Sequence, residues 1–167
     1  AVGNNAAFSG KVCIKGVTTG KIVDYGVKDS FNMGASMAPA CADMIYANFK
    51  DFGVDADYYD KIFTGDLGYV GQRILIDLLK EKGVDISKVH SDCGMIIFDQ
   101  ETQDTHAGGS GCGCSAAVLT GSLLKKMEQG EYKRILLMST GALLSTISPF
   151  QGESIPGIAH AVALEVE

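Results

Sequence analysis

Asp60-Lys-Ile-Phe-Thr-Gly-Asp-Leu-Gly68 decides the fold. A short apolar run enters a Gly-bounded turn, and directly after it Val70, Ile74, Leu75, Leu78 and Leu79 recur at three- and four-residue spacing until Gly83. The spacing predicts a buried strand over Asp60–Phe63, a tight loop, and an amphipathic helix from about Tyr69 to Lys82 with those five residues on its inner face. The same alternation continues on either side. Upstream, Cys41, Met44, Ile45, Phe49 and Phe52 form one helical stripe. Ser36 is the expected cap of that helix, Pro39 falls in its first turn, and Gly53 ends it. Downstream, Gly94–Phe98 reads as a strand because it is apolar throughout, as a strand covered on both faces is. A polar loop from Asp99 to Gly113 leads into a helix of about Cys114–Gln129, and Arg134–Met138 is another fully apolar strand. Ala161–Val166 is the last strand, after the Pro149–Pro156 connection. At the front, Lys11–Thr18 and Lys21–Val27 are β-rich runs joined at Thr19-Gly20, the pattern of a hairpin.

Strands alternating with crossover helices predict an α/β protein with a mostly parallel sheet covered on both faces. No helix separates the last two strands, so the final one is expected antiparallel. Residues 1–10 are small and polar and read as a linker or tag remnant, leaving 11–167 as one domain. The chain does not begin with Met and shows no signal peptide, so it reads as a piece of a longer protein.

Composition narrows the function classes. The 167 residues are 46% hydrophobic and 20% charged, the balance of a packed domain and not of a disordered chain. No apolar run is long enough to span a membrane. A net charge of -6 with no block of Lys or Arg disfavours nucleic acid as a partner. The five cysteines are odd in number, and Cys13 and Cys41 sit in strand-like and helix-like apolar surroundings, which points to free thiols in a reducing compartment.

The most unusual segment is His106-Ala-Gly-Gly-Ser-Gly-Cys-Gly-Cys-Ser115, directly before a helix. Bare amides at that place suit a carboxylate or phosphate; equally, the glycines serve close packing and positive φ. The segment is neither a Walker loop nor a dinucleotide fingerprint, since no Lys-Ser/Thr pair follows and it opens the third helix. Cys112 and Cys114 with His106 and Cys93 raise a zinc reading, but the second Cys-x-x-Cys half is missing. A cysteine nucleophile at the helix start needs a base, for which only His90, His106 and His160 are available. Asp92, Asp99, Glu101 and Asp104 raise a divalent-cation reading against that of a solvated loop. Thr64-Gly-Asp-Leu-Gly68 and Ser139-Thr-Gly141 fall at the carboxyl ends of expected parallel strands, where open α/β sheets bind ligands. With the 106–115 loop they define one candidate face.

Read together, Asn32-Met-Gly-Ala-Ser-Met-Ala-Pro39, Thr64-Gly-Asp-Leu-Gly68, Ala107-Gly-Gly-Ser-Gly-Cys-Gly-Cys114, Ser139-Thr-Gly-Ala-Leu-Leu-Ser145 and Gln151-Gly-Glu-Ser-Ile-Pro-Gly-Ile-Ala-His-Ala-Val162 form a pattern. It resembles the carboxy-terminal half of a sporulation protein of the thiolase and ketoacyl-synthase superfamily. The resemblance implies one thiolase-like half-domain over 11–167, three-layer α/β/α with a mixed five-stranded sheet whose last strand is antiparallel. It implies that a catalytic Cys belongs to the other, amino-terminal half. The acid/base groups of the enzymes are displaced here: Gly108 or Gly109 stands where thiolases carry a His, with His106 two or three residues too early. Thr64-Gly-Asp replaces a second His loop, and Ile155-Pro-Gly-Ile replaces a Cys-Gly-Gly-Gly loop. The implied protein is therefore a pseudoenzyme without cofactor.

The implied ligand is dipicolinate, with calcium as its chelate, taken up during spore formation. The implied partners are the amino-terminal half, other sporulation proteins of the same operon at the membrane, and a second copy in a homodimer. The implied location is peripheral, on the cytoplasmic side of the forespore inner membrane. The candidate ligand-binding residues are His106, Gly108, Gly109, Ser110, Gly111 and Cys112 of the loop, with Thr64, Asp66 and Thr140; no catalytic or metal-ligating residue is assigned. The alternative reading is an acyltransferase with an unusual base that uses Cys112 or Cys114 as acyl carrier.

Overall fold

The structure is a computed structural model that describes residues 2–3, 11–105, 107 and 111–167. Its centre is a five-stranded mixed sheet in the order β1-β5-β4-β2-β3. The strands are β1 (Val12–Thr18), β2 (Lys61–Thr64), β3 (His90–Asp92), β4 (Arg134–Ala142) and β5 (Gly157–Val166). β2 is parallel to both β3 and β4, whereas β5 runs antiparallel to β4 and to β1. The expected antiparallel last strand is present and begins earlier, at Gly157.

Two long helices cover one face: α1 (Met33–Phe52) and α2 (Gly68–Glu81). Met44, Ile45 and Phe49 of α1 and Leu75 and Leu79 of α2 pack on Ile62, Leu136 and Met138 in the larger core. The helices approach closely where they begin. A Cβ on Gly71 would lie 2.9 Å from Gly34 Cα, and one on Gly34 would lie 2.2 Å from the Leu67 carbonyl oxygen. Glycine at both positions is what allows the crossing. The other face carries α4 (Cys114–Val118) and α5 (Leu124–Glu128), continuous through a π-helical turn, Leu119–Leu123. Val118, Leu123 and Met127 pack there on Phe63, Ile135, Leu137 and Leu164.

Four local expectations are corrected. Gly94–Phe98 is not a strand: β3 lies just before it, and Cys93–Ile97 forms a short helix, α3. The apolar run was ambiguous between the two. The Asp92 carboxylate decides it by accepting from the Gly94 and Met95 amides, an N-cap. Lys21–Val27 does not pair with β1 in a hairpin. Instead Val23 and Gly157 exchange backbone hydrogen bonds, and Ile155 N–H donates to the Val27 carbonyl, so this stretch runs beside the approach to β5. α1 begins earlier than expected. Asn32, not Ser36, caps it by accepting from Ala35 N–H, which places Pro39 in the helix interior; Gly53 ends it in the left-handed conformation, φ 64°. Val70 is 37% exposed and lies off the inner face of α2, which Gly71, Leu75 and Leu79 make.

Candidate ligand-binding site

The first turn of α1, the turn after β2, the start of α4 and the end of β4 meet at the carboxyl end of the parallel strands. They line an open cleft. Met33 and Met37 form its apolar wall from α1, and Asp66 stands opposite. Cys112 approaches from the loop before α4 and Ser115 from its first turn, and Thr140 lines the cleft near the end of β4. Thr140 reaches that place because Gly65 has no side chain: a Cβ there would lie 2.9 Å from Thr140 Oγ1. Ser115 Oγ also lies 3.4 Å from Ser139 Oγ.

Asp66, Gly111, Cys112 and Thr140 are thus brought together, as the sequence reading grouped them. The Gly111 amide donates to Asp66 Oδ2 at 3.1 Å, so the Gly-rich loop does meet a carboxylate, one of the protein's own. His106, Gly108, Gly109 and Ser110 lie outside the described residues. Thr64 is separate from the cleft: it is fully buried.

Thr64 belongs to a buried polar chain that the sequence reading did not assemble. In the parallel pairing of β2 and β3, Thr64 stands opposite Asp92 and Ile62 opposite His90, so the alternation of strand side chains brings these residues to one face. Thr64 Oγ1 donates to Asp92 Oδ2 at 2.5 Å and lies 3.1 Å from His90 Nε2. Having used its proton on Asp92, the hydroxyl accepts from His90 Nε2–H. His90 Nδ1 is then the acceptor for Gln72 Nε2, at 3.1 Å. Neutral His90 fits this chain, and burial with the nearby Lys61 charge pushes its pKa down to about 4.

Asp92 also accepts from the amides of Leu67 (2.8 Å), Gly68 (3.1 Å), Gly94 (3.0 Å) and Met95 (3.4 Å). One carboxylate therefore caps the starts of both α2 and α3. Burial raises its pKa, and the bonds from Thr64, Leu67 and Gly68 pull the other way. Asp92 was legible only as part of an acidic run; its fixed role needed the sheet register.

The thiols divide sharply. Cys41, Cys93 and Cys114 are buried, while Cys112 is exposed. Burial pushes the Cys93 thiol up to about 12 and drives Cys41 higher still. Of the two other histidines named as bases, His160 Nδ1 accepts from Gly20 N–H at 3.0 Å, and His106 lies outside the described residues. Among the described residues, no three His, Cys, Asp or Glu side chains converge as metal ligands. Asp99 instead closes its own turn, accepting from Glu101 N–H and Thr102 Oγ1.

A mixed five-stranded sheet with an antiparallel last strand, helices on both faces and a cleft at the carboxyl ends is a thiolase-like α/β/α fold. Among solved structures, the tetronic acid condensing enzyme AbyA1 matches it with a TM-score of 0.53 over 96% of this chain and 49% of the other, at 15% identity. That likeness concerns the fold. The family model of stage V sporulation protein AD matches residues 5–165, and the chain belongs to that family. It is 46% identical over 156 residues to stage V sporulation protein AD of Bacillus subtilis (strain 168). The match covers 93% of this chain and 46% of that relative, so the chain spans about half the relative's length.

Proposed function

We propose that the chain is the carboxy-terminal half of a non-catalytic, thiolase-like sporulation protein that binds dipicolinic acid, with calcium as its chelate. The observation that carries this reading is the makeup of the cleft. Two methionine side chains offer an adaptable apolar wall for a planar ring, while the Ser115 and Thr140 hydroxyls offer donors for its carboxylates. The described histidines support binding over condensation, because His90 is tied to Thr64 and Gln72 and His160 to Gly20. Proton transfer in a condensation needs such a group within reach of the reacting atoms.

The reading includes an amino-terminal half that packs on this one and sporulation proteins of the same operon at the forespore inner membrane. Ile14 and Val17 on the α4 side of β1 are 52% and 56% exposed, which supports a surface that another half, or a second copy, covers. Among the described residues no helix is long and apolar enough to cross a membrane. Attachment to the membrane is accordingly peripheral in this proposal.

Cys112 favours the second reading, an acyltransferase, because it is the exposed thiol that lines the cleft. One variant addresses both. Cys112→Trp fills the cleft from its rim without touching the core, and dipicolinate affinity is expected to fall at least ~10-fold with an unchanged melting temperature. Normal affinity in that variant removes the cleft from the binding site. Rapid alkylation of wild-type Cys112 by iodoacetamide near neutral pH, with transfer of an acyl group to it from a thioester, establishes the enzyme instead.

A further inference from the structure

The structure assigns Thr64 and Asp92 a role as positioning residues that set the cleft carboxylate, Asp66, from behind. The inference rests on the cleft being the ligand site. Its geometry runs in two steps. Thr64 and four amides fix both oxygens of Asp92, and two of those amides, Gly94 and Met95, open α3. Asp92 therefore fixes where α3 begins. The seat thus made for Asp66 is tight: a Cβ on Gly94 would lie 2.0 Å from Asp66 Oδ1 and 3.1 Å from Asp92 Oδ1. Glycine at the second residue of α3 is what lets Asp66 lie against the helix start. From that seat Asp66 Oδ2 accepts the Gly111 amide, across 45 residues of sequence, and so holds the loop that carries Cys112 into the cleft.

Hydrogen bonds link Gln72, His90, Thr64 and Asp92, and the close packing of Asp66 on Gly94 passes the placement on to Gly111. Only Asp66, Gly111 and Cys112 of this series line the cleft. Thr64 and Asp92 are fully buried and do not line the cleft. The role is accordingly one of geometry, acting through Asp66.

The test reads the Gly111 amide directly. Gly94→Ala occupies the Asp66 seat; Thr64→Val removes the hydroxyl from Asp92 while keeping the side-chain shape. In both variants the Gly111 amide proton resonance is expected to move upfield, away from its hydrogen-bonded position. Dipicolinate affinity is expected to fall about 5- to 10-fold, the scale of one lost hydrogen bond. Thr64→Ser, which restores the hydroxyl, should return both readouts towards wild type. Gly94→Ala keeps the test available if Thr64→Val does not fold. A Gly111 resonance unmoved in a folded Gly94→Ala or Thr64→Val protein overturns the inference, even where dipicolinate binds. Wild-type protein that ignores dipicolinate overturns the functional reading instead, and the amide resonance still decides the positioning role.

Discussion

Two buried polar networks tie helices to this sheet, and they differ in charge. Beneath α1, Asn48 Nδ2 donates to Thr18 Oγ1 at 2.8 Å and Asn48 Oδ1 accepts from Tyr59 OH at 2.9 Å. Every group in that network is neutral, and no member lines the cleft. Beneath the cleft, the chain from Gln72 to Asp92 ends on a carboxylate that caps two helices. Both are fully hydrogen-bonded, which is what makes buried polarity tolerable. The neutral one fastens α1 to β1 and to Tyr59, two residues before β2. The ionisable one gathers the turn after β2, the start of α2 and the start of α3 around a single point. A charge is the economical device where several amides must converge, because each N–H bond to a carboxylate is stronger than one to a neutral acceptor.

Asp92 is the most costly residue of either network to remove. Asp92→Ala strands four amides and the Thr64 hydroxyl without their acceptor, and chemical denaturation should show a loss of about 3–5 kcal/mol. A loss below that of Asn48→Ala would mean that the charged network is no more than a second neutral one. The next effect is on pH. His90 has its folded pKa depressed to about 4 from an ordinary 6.5, so the unfolded chain takes up its proton first. Stability contributed by neutral His90 is complete above pH 6.5 and is lost as pH falls towards 4, on the order of 3 kcal/mol in all. Asp92, with its pKa raised, acts in the opposite sense, losing stability as pH rises from its unfolded value of 3.8 through its folded one. The contrast between wild type and His90→Gln isolates the histidine. Denaturation midpoints that fall together between pH 6.5 and 4 in the two proteins would contradict a buried neutral His90.

Asn48→Ala probes the neutral network. It should cost about 2 kcal/mol by leaving Thr18 and Tyr59 without their partner. That cost should be the same at every pH from 4 to 7, and the Gly111 amide should not move. Any shift there would show that the two networks are coupled.

The distribution of what the sequence reveals follows from the range of the interactions. Helical stripes such as Met44–Ile45–Phe49 and Leu75–Leu79, and the turn Thr64–Gly68, are local and stand out by spacing alone. The convergence of Asp66, Gly111, Cys112 and Thr140 was legible because each sits at the carboxyl end of an expected parallel strand or at a helix start. What failed was decided by partners distant in sequence. The run Gly94–Phe98 becomes a helix because Asp92 caps it, while β3 is fixed by its register with β2, in which Ile62 faces His90. Lys21–Val27 has the composition of a strand but lies beside residues 155–157, and β1 finds its partner in β5. The chain from Gln72 through His90 and Thr64 to Asp92 is four unremarkable residues until the sheet register brings them into line.

In the proposed function the cleft binds dipicolinate without turning over a substrate. Calorimetric titration of dipicolinate, with and without calcium, into this chain and into the full-length protein tests it most directly. Saturable heat for one site per chain is expected in the full-length protein, lost in Cys112→Trp and accompanied by no acyl transfer. Absence of heat from both the chain and the full-length protein, under either calcium condition, would contradict it.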